Sequence, residues 1–90
     1  MNTKHTPAPW AVTNKGSFVV TKHATICRLF GRDDSDYPNS EANAKLIAAA
    51  PELLEALQDL TWLIEQGAMI EEIQEAIKAK ALPAIKKATE

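Results

Sequence analysis

The stretch Glu41-Ala42-Asn43-Ala44-Lys45-Leu46-Ile47-Ala48-Ala49-Ala50-Pro51-Glu52-Leu53-Leu54-Glu55-Ala56-Leu57 decides the fold. Leu46, Ala50, Leu53, Leu57, Leu60 and Ile64 follow one another at alternating steps of four and three, which places them on one stripe of a helical surface. Ile47, Leu54 and Thr61 recur in the row beside it and widen the apolar face beyond a two-stranded seam. A face of that width calls for a sheet or two partner helices as cover. Pro51 lacks an amide donor and disfavours helical angles at Ala50, yet Pro-Glu is a good helix opening. The expectation is a short helix over about 40–49, a kink or break, and a longer helix over about 51–66. Ala48, Ala49 and Ala50 permit close backbone approach at that corner.

Working toward the C-terminus, Gly67 ends the second helix, and Ile70, Ile73 and Ile77 restart an apolar period that folds back as a helical hairpin. Pro83 is expected to interrupt the last segment, after which Ala84, Ile85 and Ala88 continue the stripe beside Lys86 and Lys87. Toward the N-terminus, Pro7 and Pro9 hold residues 1–9 as an extended arm. Trp10-Ala11-Val12-Thr13, Phe18-Val19-Val20-Thr21 and Thr25-Ile26-Cys27-Arg28-Leu29-Phe30 alternate as strands, separated by turn chemistry at Asn14-Lys15-Gly16-Ser17 and a shorter reversal at Lys22-His23. The fold class is therefore α+β, one domain over 1–90: an antiparallel meander of about three strands over 10–30, then a kinked helix and a C-terminal helical hairpin over 40–88.

Strict alternation in the third strand sets Ile26, Arg28 and Phe30 on one face and Cys27 with Leu29 on the other. Arg28 then either snorkels at the sheet margin or binds an anion, since an unpaired buried guanidinium costs several kcal/mol. The loop Gly31-Arg32-Asp33-Asp34-Ser35-Asp36-Tyr37-Pro38-Asn39 carries three aspartates but fails as a calcium loop. Pro38 stands where a third oxygen ligand belongs, and Asn39 where the glycine does. Ser40 or Asn39 caps the helix that follows.

A chain of 90 residues that is 46% apolar and 24% charged describes an ordinary soluble domain with a thin stability margin, for which self-association is a common remedy. A net charge of −2 gives no basic field for general nucleic-acid binding. The single Cys27 forms no internal disulfide and leaves no cysteine pair for a structural metal, which suits a reducing cytosol. The start of the chain runs into proline rather than an apolar leader, and no run approaches the roughly 20 apolar residues of a membrane span.

Catalytic chemistry has little to work with. His5, His23, Cys27 and Tyr37 make up the reactive inventory, and His23 and Cys27 sit roughly 13 Å apart at strand rise. No phosphate loop, nucleophile elbow or metal spacing is present, so the expectation is a binding protein with no catalytic residue, metal or cofactor. Trp10 and Tyr37 offer stacking faces, Arg28 and Arg32 bidentate contacts to phosphate, and Asn43 a polar group near a helix start. Each has a plainer role available: Trp10 as an anchor for the arm, Asn43 as a register element. Leu46, Ala50, Leu53, Leu57 and Trp62 are the candidate interface.

His5-Thr6-Pro7-Ala8-Pro9-Trp10, the strand residues Ile26-Cys27-Arg28, the stretch 42–57 and the ending Ala84-Ile85-Lys86-Lys87-Ala88-Thr89 together resemble small proteins encoded by tailed phages and prophages. That resemblance implies an accessory gene product acting in the cytoplasm of the bacterial host, where many such products blunt defence. The sheet-then-helices layout also resembles, by architecture only, oligomeric phage sponge proteins that sequester the nucleotide signals of Thoeris and CBASS immunity. The functional expectation is an oligomer that sequesters a small anionic nucleotide. The alternative is an inhibitor that occludes a bacterial defence protein with its helical surface.

Overall fold

A computed structural model of the chain describes residues 5–13, 18–29 and 40–90, together with the backbone but not the side chain of Ser40. The sequence readings that fall on Asn14-Lys15-Gly16-Ser17, Phe30 and the loop 31–39, Arg32 and Tyr37 included, lie outside the described residues.

Three short strands, β1 (Ala11–Thr13), β2 (Phe18–Val20) and β3 (Thr25–Arg28), form an antiparallel sheet in the order β1-β2-β3. Val12 pairs with Val19 and Val19 with Cys27, so one row of apolar side chains crosses the sheet on its inner face. The β2–β3 reversal is locked by Thr21, whose hydroxyl oxygen accepts from the amides of His23 (3.1 Å) and Ala24 (3.0 Å).

The third strand departs from strict alternation. Val19 opposes Cys27 and Val20 opposes Thr25, which leaves Ile26 as the extra residue of a β-bulge. Ile26, Cys27 and Leu29 consequently all pack on the inner cluster, and Arg28 is exposed. Arg28 therefore does not share the inner face with Ile26, as unbroken alternation required.

Four helices follow: α1 (Ser40–Ala48), α2 (Ala50–Glu65), α3 (Ile70–Ala76) and α4 (Leu82–Thr89), with a π segment (Ile77–Ala81) joining the last two. The expected corner before Pro51 divides α1 from α2 at Ala49. Ala49 keeps its own amide bonded to the Lys45 and Leu46 carbonyls and accepts from Leu53, so the backbone turns the corner without stranding a donor. At the far end of α2, Gly67 adopts φ 73°. The amides of Gly67 and Ala68 donate back to the carbonyls of Ile64 and Leu63, closing a Schellman motif. Pro83, expected to interrupt the final helix, does not. The π segment widens the preceding turn, the Leu82 amide reaches the Ile77 carbonyl, and the helix runs on through the proline.

The core is made of small side chains. Val19, Ala44 and Ala48 are buried between sheet and α1, with Trp10, Val12 and Ile47 packed around them; Ala49, Ala56, Ala84 and Ala88 are buried elsewhere in the helical layer. Among the described residues the sheet meets only α1, and α1 meets α4 on another side, so α1 is the link between the sheet and the α2–α4 hairpin. Two ion pairs tie the hairpin together: Lys80 to Asp59, and Lys87 Nζ to Glu52 Oε2 at 3.2 Å.

The stripe that required cover is split by this packing. Leu53 and Leu60 are half-buried on the hairpin side, whereas Ala50, Leu54, Leu57, Thr61 and Ile64 look outward. Alanines explain the difference. Backbones that approach over Ala56, Ala84 and Ala88 sit too close for a wide face of leucines to be enclosed between them. Among the described residues no helix is long and apolar enough to cross a membrane.

Candidate functional site

The N-terminal arm does more than lead into the sheet. Trp10 is half-buried against the core cluster, its indole Nε1 donates to the Thr6 carbonyl at 3.0 Å, and the His5 ring meets it edge-on with centroids 6.2 Å apart. These contacts curl the arm back, and the Ala8–Pro9 peptide bond within it is cis. The curled arm becomes one wall of a groove of about 590 Å³ whose other wall is α2.

His5, Pro7 and Ala8 supply the arm side of this groove. Pro51 and Leu54 give the α2 side an apolar floor, Glu52, Glu55 and Asp59 give it three carboxylates, and Gln58 and Trp62 complete it. Glu52, Glu55, Asp59 and Trp62 follow one another at steps of three, four and three, and so occupy one stripe of α2 beside the apolar one. That spacing was visible in the sequence, but it had no function until the arm was seen to face it.

The carboxylates are unequally compensated. Lys80 engages Asp59, and this hydrogen bond, helped by the nearby negative charges of Asp59 and Glu55, raises the lysine's pKa above its ordinary value against a smaller opposing effect of desolvation. Lys87 reaches Oε2 of Glu52, while Oε1 of the same carboxylate is buried with no hydrogen-bond partner among the described residues. Glu55 takes part in neither ion pair and is exposed. Trp62 presents its ring at 57% exposure. A groove with an open indole and the exposed carboxylate of Glu55 suits a cationic group on an apolar stem.

Of the expected ligand residues, the three that are described do not line this groove. Trp10 anchors the arm, Arg28 is exposed at the end of β3, and Asn43 is exposed on α1; none of them lines the groove. The expected interface residues are divided by the packing. Leu46, Ala50, Leu57 and Trp62 are exposed and Leu53 is half-buried, although Trp62 belongs to the groove rather than to the outward row. Cys27 is a half-buried thiol against the inner cluster, and His23 sits exposed in its turn. No group of three or more His, Cys, Asp or Glu side chains suited to a metal ion occurs among the described residues.

Comparison with known proteins gives one decisive match. The family model for Salmonella phage P22 protein Y8K6 aligns with residues 1–90. The chain belongs to that family. Its phage origin follows, and the family description adds no chemistry of its own. No curated protein and no solved structure matches the chain.

Proposed function

We propose that this member of the P22 Y8K6 family is an accessory binding protein that counters host defence by occluding a bacterial protein, taking a basic segment of it into the groove between the arm and α2. The observation that carries this reading is the groove's lining: Glu52, Glu55 and Asp59 beside the open face of Trp62. A lysine or arginine of the target would lay its apolar stem along Leu54 and Pro7 and its charge against Glu55 and the indole. The phage family supports the setting, and the charge of the groove supports a protein target over a nucleotide. Phosphate oxygens brought to the same place would meet carboxylates and gain no compensating donors. The protein works in this reading by binding rather than by catalysis, in the cytoplasm of the infected cell.

The test pairs affinity capture with ligand screening. The protein should retain one bacterial partner from host lysate, and Glu55→Arg and Trp62→Ala should each weaken that retention by roughly tenfold or more, as truncation of a central interface residue does. Native mass spectrometry against cyclic nucleotides and ADP-ribose derivatives should show none retained. A nucleotide held intact would instead establish sequestration, with Arg28, Arg32, Tyr37 and Asn43 as the next residues to substitute.

A further inference from the structure

The outward row of α2 runs beside the groove and shares Leu54 with it. Ala50, Leu54, Leu57, Thr61 and Ile64 recur at steps of four, three, four and three, the spacing of a helix-pairing seam, and none is charged. Leu57 is 64% and Ile64 63% exposed, and the acidic side chains of the helix lie mostly on the groove side, where Lys80 and Lys87 meet two of them. A second helix can therefore approach this row without bringing like charges together.

The molecule also has surface to spare. Its accessible area is 6686 Å², against roughly 5,200 Å² for a compact monomer of 9.8 kDa. That excess belongs to the elongated molecule as a whole, and on the outward row its apolar part is carried by Leu54, Leu57 and Ile64. The shape agrees: the radius of gyration is 15.4 Å, where roughly 12 Å is ordinary for this length, and the shortest extent is only 16 Å. Val19 is the one large side chain fully buried among the described residues; the rest of the buried apolar set is alanine. A chain with so small a core needs cover from the moment it folds, and the partner always present at its own concentration is another copy of itself.

We propose that two copies pair through this row, α2 against α2, in an isologous dimer. The row is self-complementary. Ala50 and Ile64 lie seven residues either side of Leu57, so an antiparallel pair centred on Leu57 sets the smallest side chain of one row against a large one of the other, twice over. The groove faces away from the row apart from the shared Leu54, so a pair carries two grooves, both open. This inference is centred on Leu57, outside the proposed target site, and meets that site only at Leu54.

Sedimentation equilibrium on the full chain tests it. The wild type is expected at twice 9.8 kDa at micromolar concentration, and Leu57→Glu is expected to raise the dissociation constant at least roughly 100-fold, because an unpaired carboxylate would be enclosed at the centre of the seam. Trp62→Ala, off the row, should leave the dimer intact while weakening target capture. Should Leu57→Glu fail to fold, hydrogen exchange on the wild type at concentrations above and below its midpoint of association gives the answer: protection gained on association must centre on residues 50–64. A monomer throughout, a mass other than two chains, an assembly indifferent to Leu57→Glu, or protection gained elsewhere overturns the proposal.

Discussion

Lys80 is the residue whose ionisation reports most directly on the hairpin. Its hydrogen bond to Asp59 holds its pKa above that of an ordinary lysine, so the folded state binds this proton more tightly than the unfolded chain does. The pair's contribution is complete at neutral pH and up to the ordinary lysine range, and it fades as pH climbs through the raised value. Both side chains are substantially exposed, so salt should weaken the pair. The prediction concerns the titration itself: Asp59→Asn should lower the Lys80 midpoint, read by NMR of the side-chain methylene next to Nζ. An unchanged midpoint would show that the pair does not persist in solution. The same residue scale explains why the groove could be anticipated only in part. Glu52, Glu55, Asp59 and Trp62 announce a common stripe by spacing, but nothing in the spacing says that His5 and Pro7 come to face them.

At the scale of elements, Gly67 decides where α2 stops. Its φ of 73° lies in the left-handed region, and a Cβ placed there would touch nothing within 4 Å, so a substitution meets backbone strain without any clash. Gly67→Ala should therefore cost about 1 kcal/mol in urea unfolding, and Gly67→Asn less, because asparagine tolerates that conformation better. Equal losses for both would point to a steric cause instead. The turn glycine, the corner before Pro51 and the three strands were legible in the sequence because each is governed by neighbours in the chain. Ile26 was not, since its bulge exists only in the register against Val19 and Val20. Pro83 was misread for a related reason: the rule that proline stops a helix assumes a regular α turn before it, and the Ile77–Ala81 segment is wider than that. The leucine stripe was read as a face that needs cover and as a candidate interface; its spacing does not reveal which of its members the helices of the same chain take in, and Leu46, Ala50, Leu57 and Ile64 are left exposed.

At the scale of the whole molecule, the sheet and the hairpin communicate through one helix. Val19, Ala44 and Ala48 are the buried contact between the sheet and that helix, and Val19 is the only one of the three larger than alanine, so there is little redundancy if it is altered. Val19→Ala should destabilise the chain by roughly 1–3 kcal/mol through lost burial and the cavity left behind. Its effect should also be unequal: amides of residues 11–28 should lose exchange protection well before those of α2, which do not contact the sheet. Uniform loss would mean that the molecule unfolds as a single unit. The wall of the groove formed by His5, Pro7 and Ala8 has a separate significance. It is carried on a leading strip of chain held mainly by its own curl about Trp10, outside the buried set that supports everything else. That strip can therefore be rewritten while the scaffold is inherited unchanged, so that under the proposed function the choice of target is uncoupled from the stability of the fold.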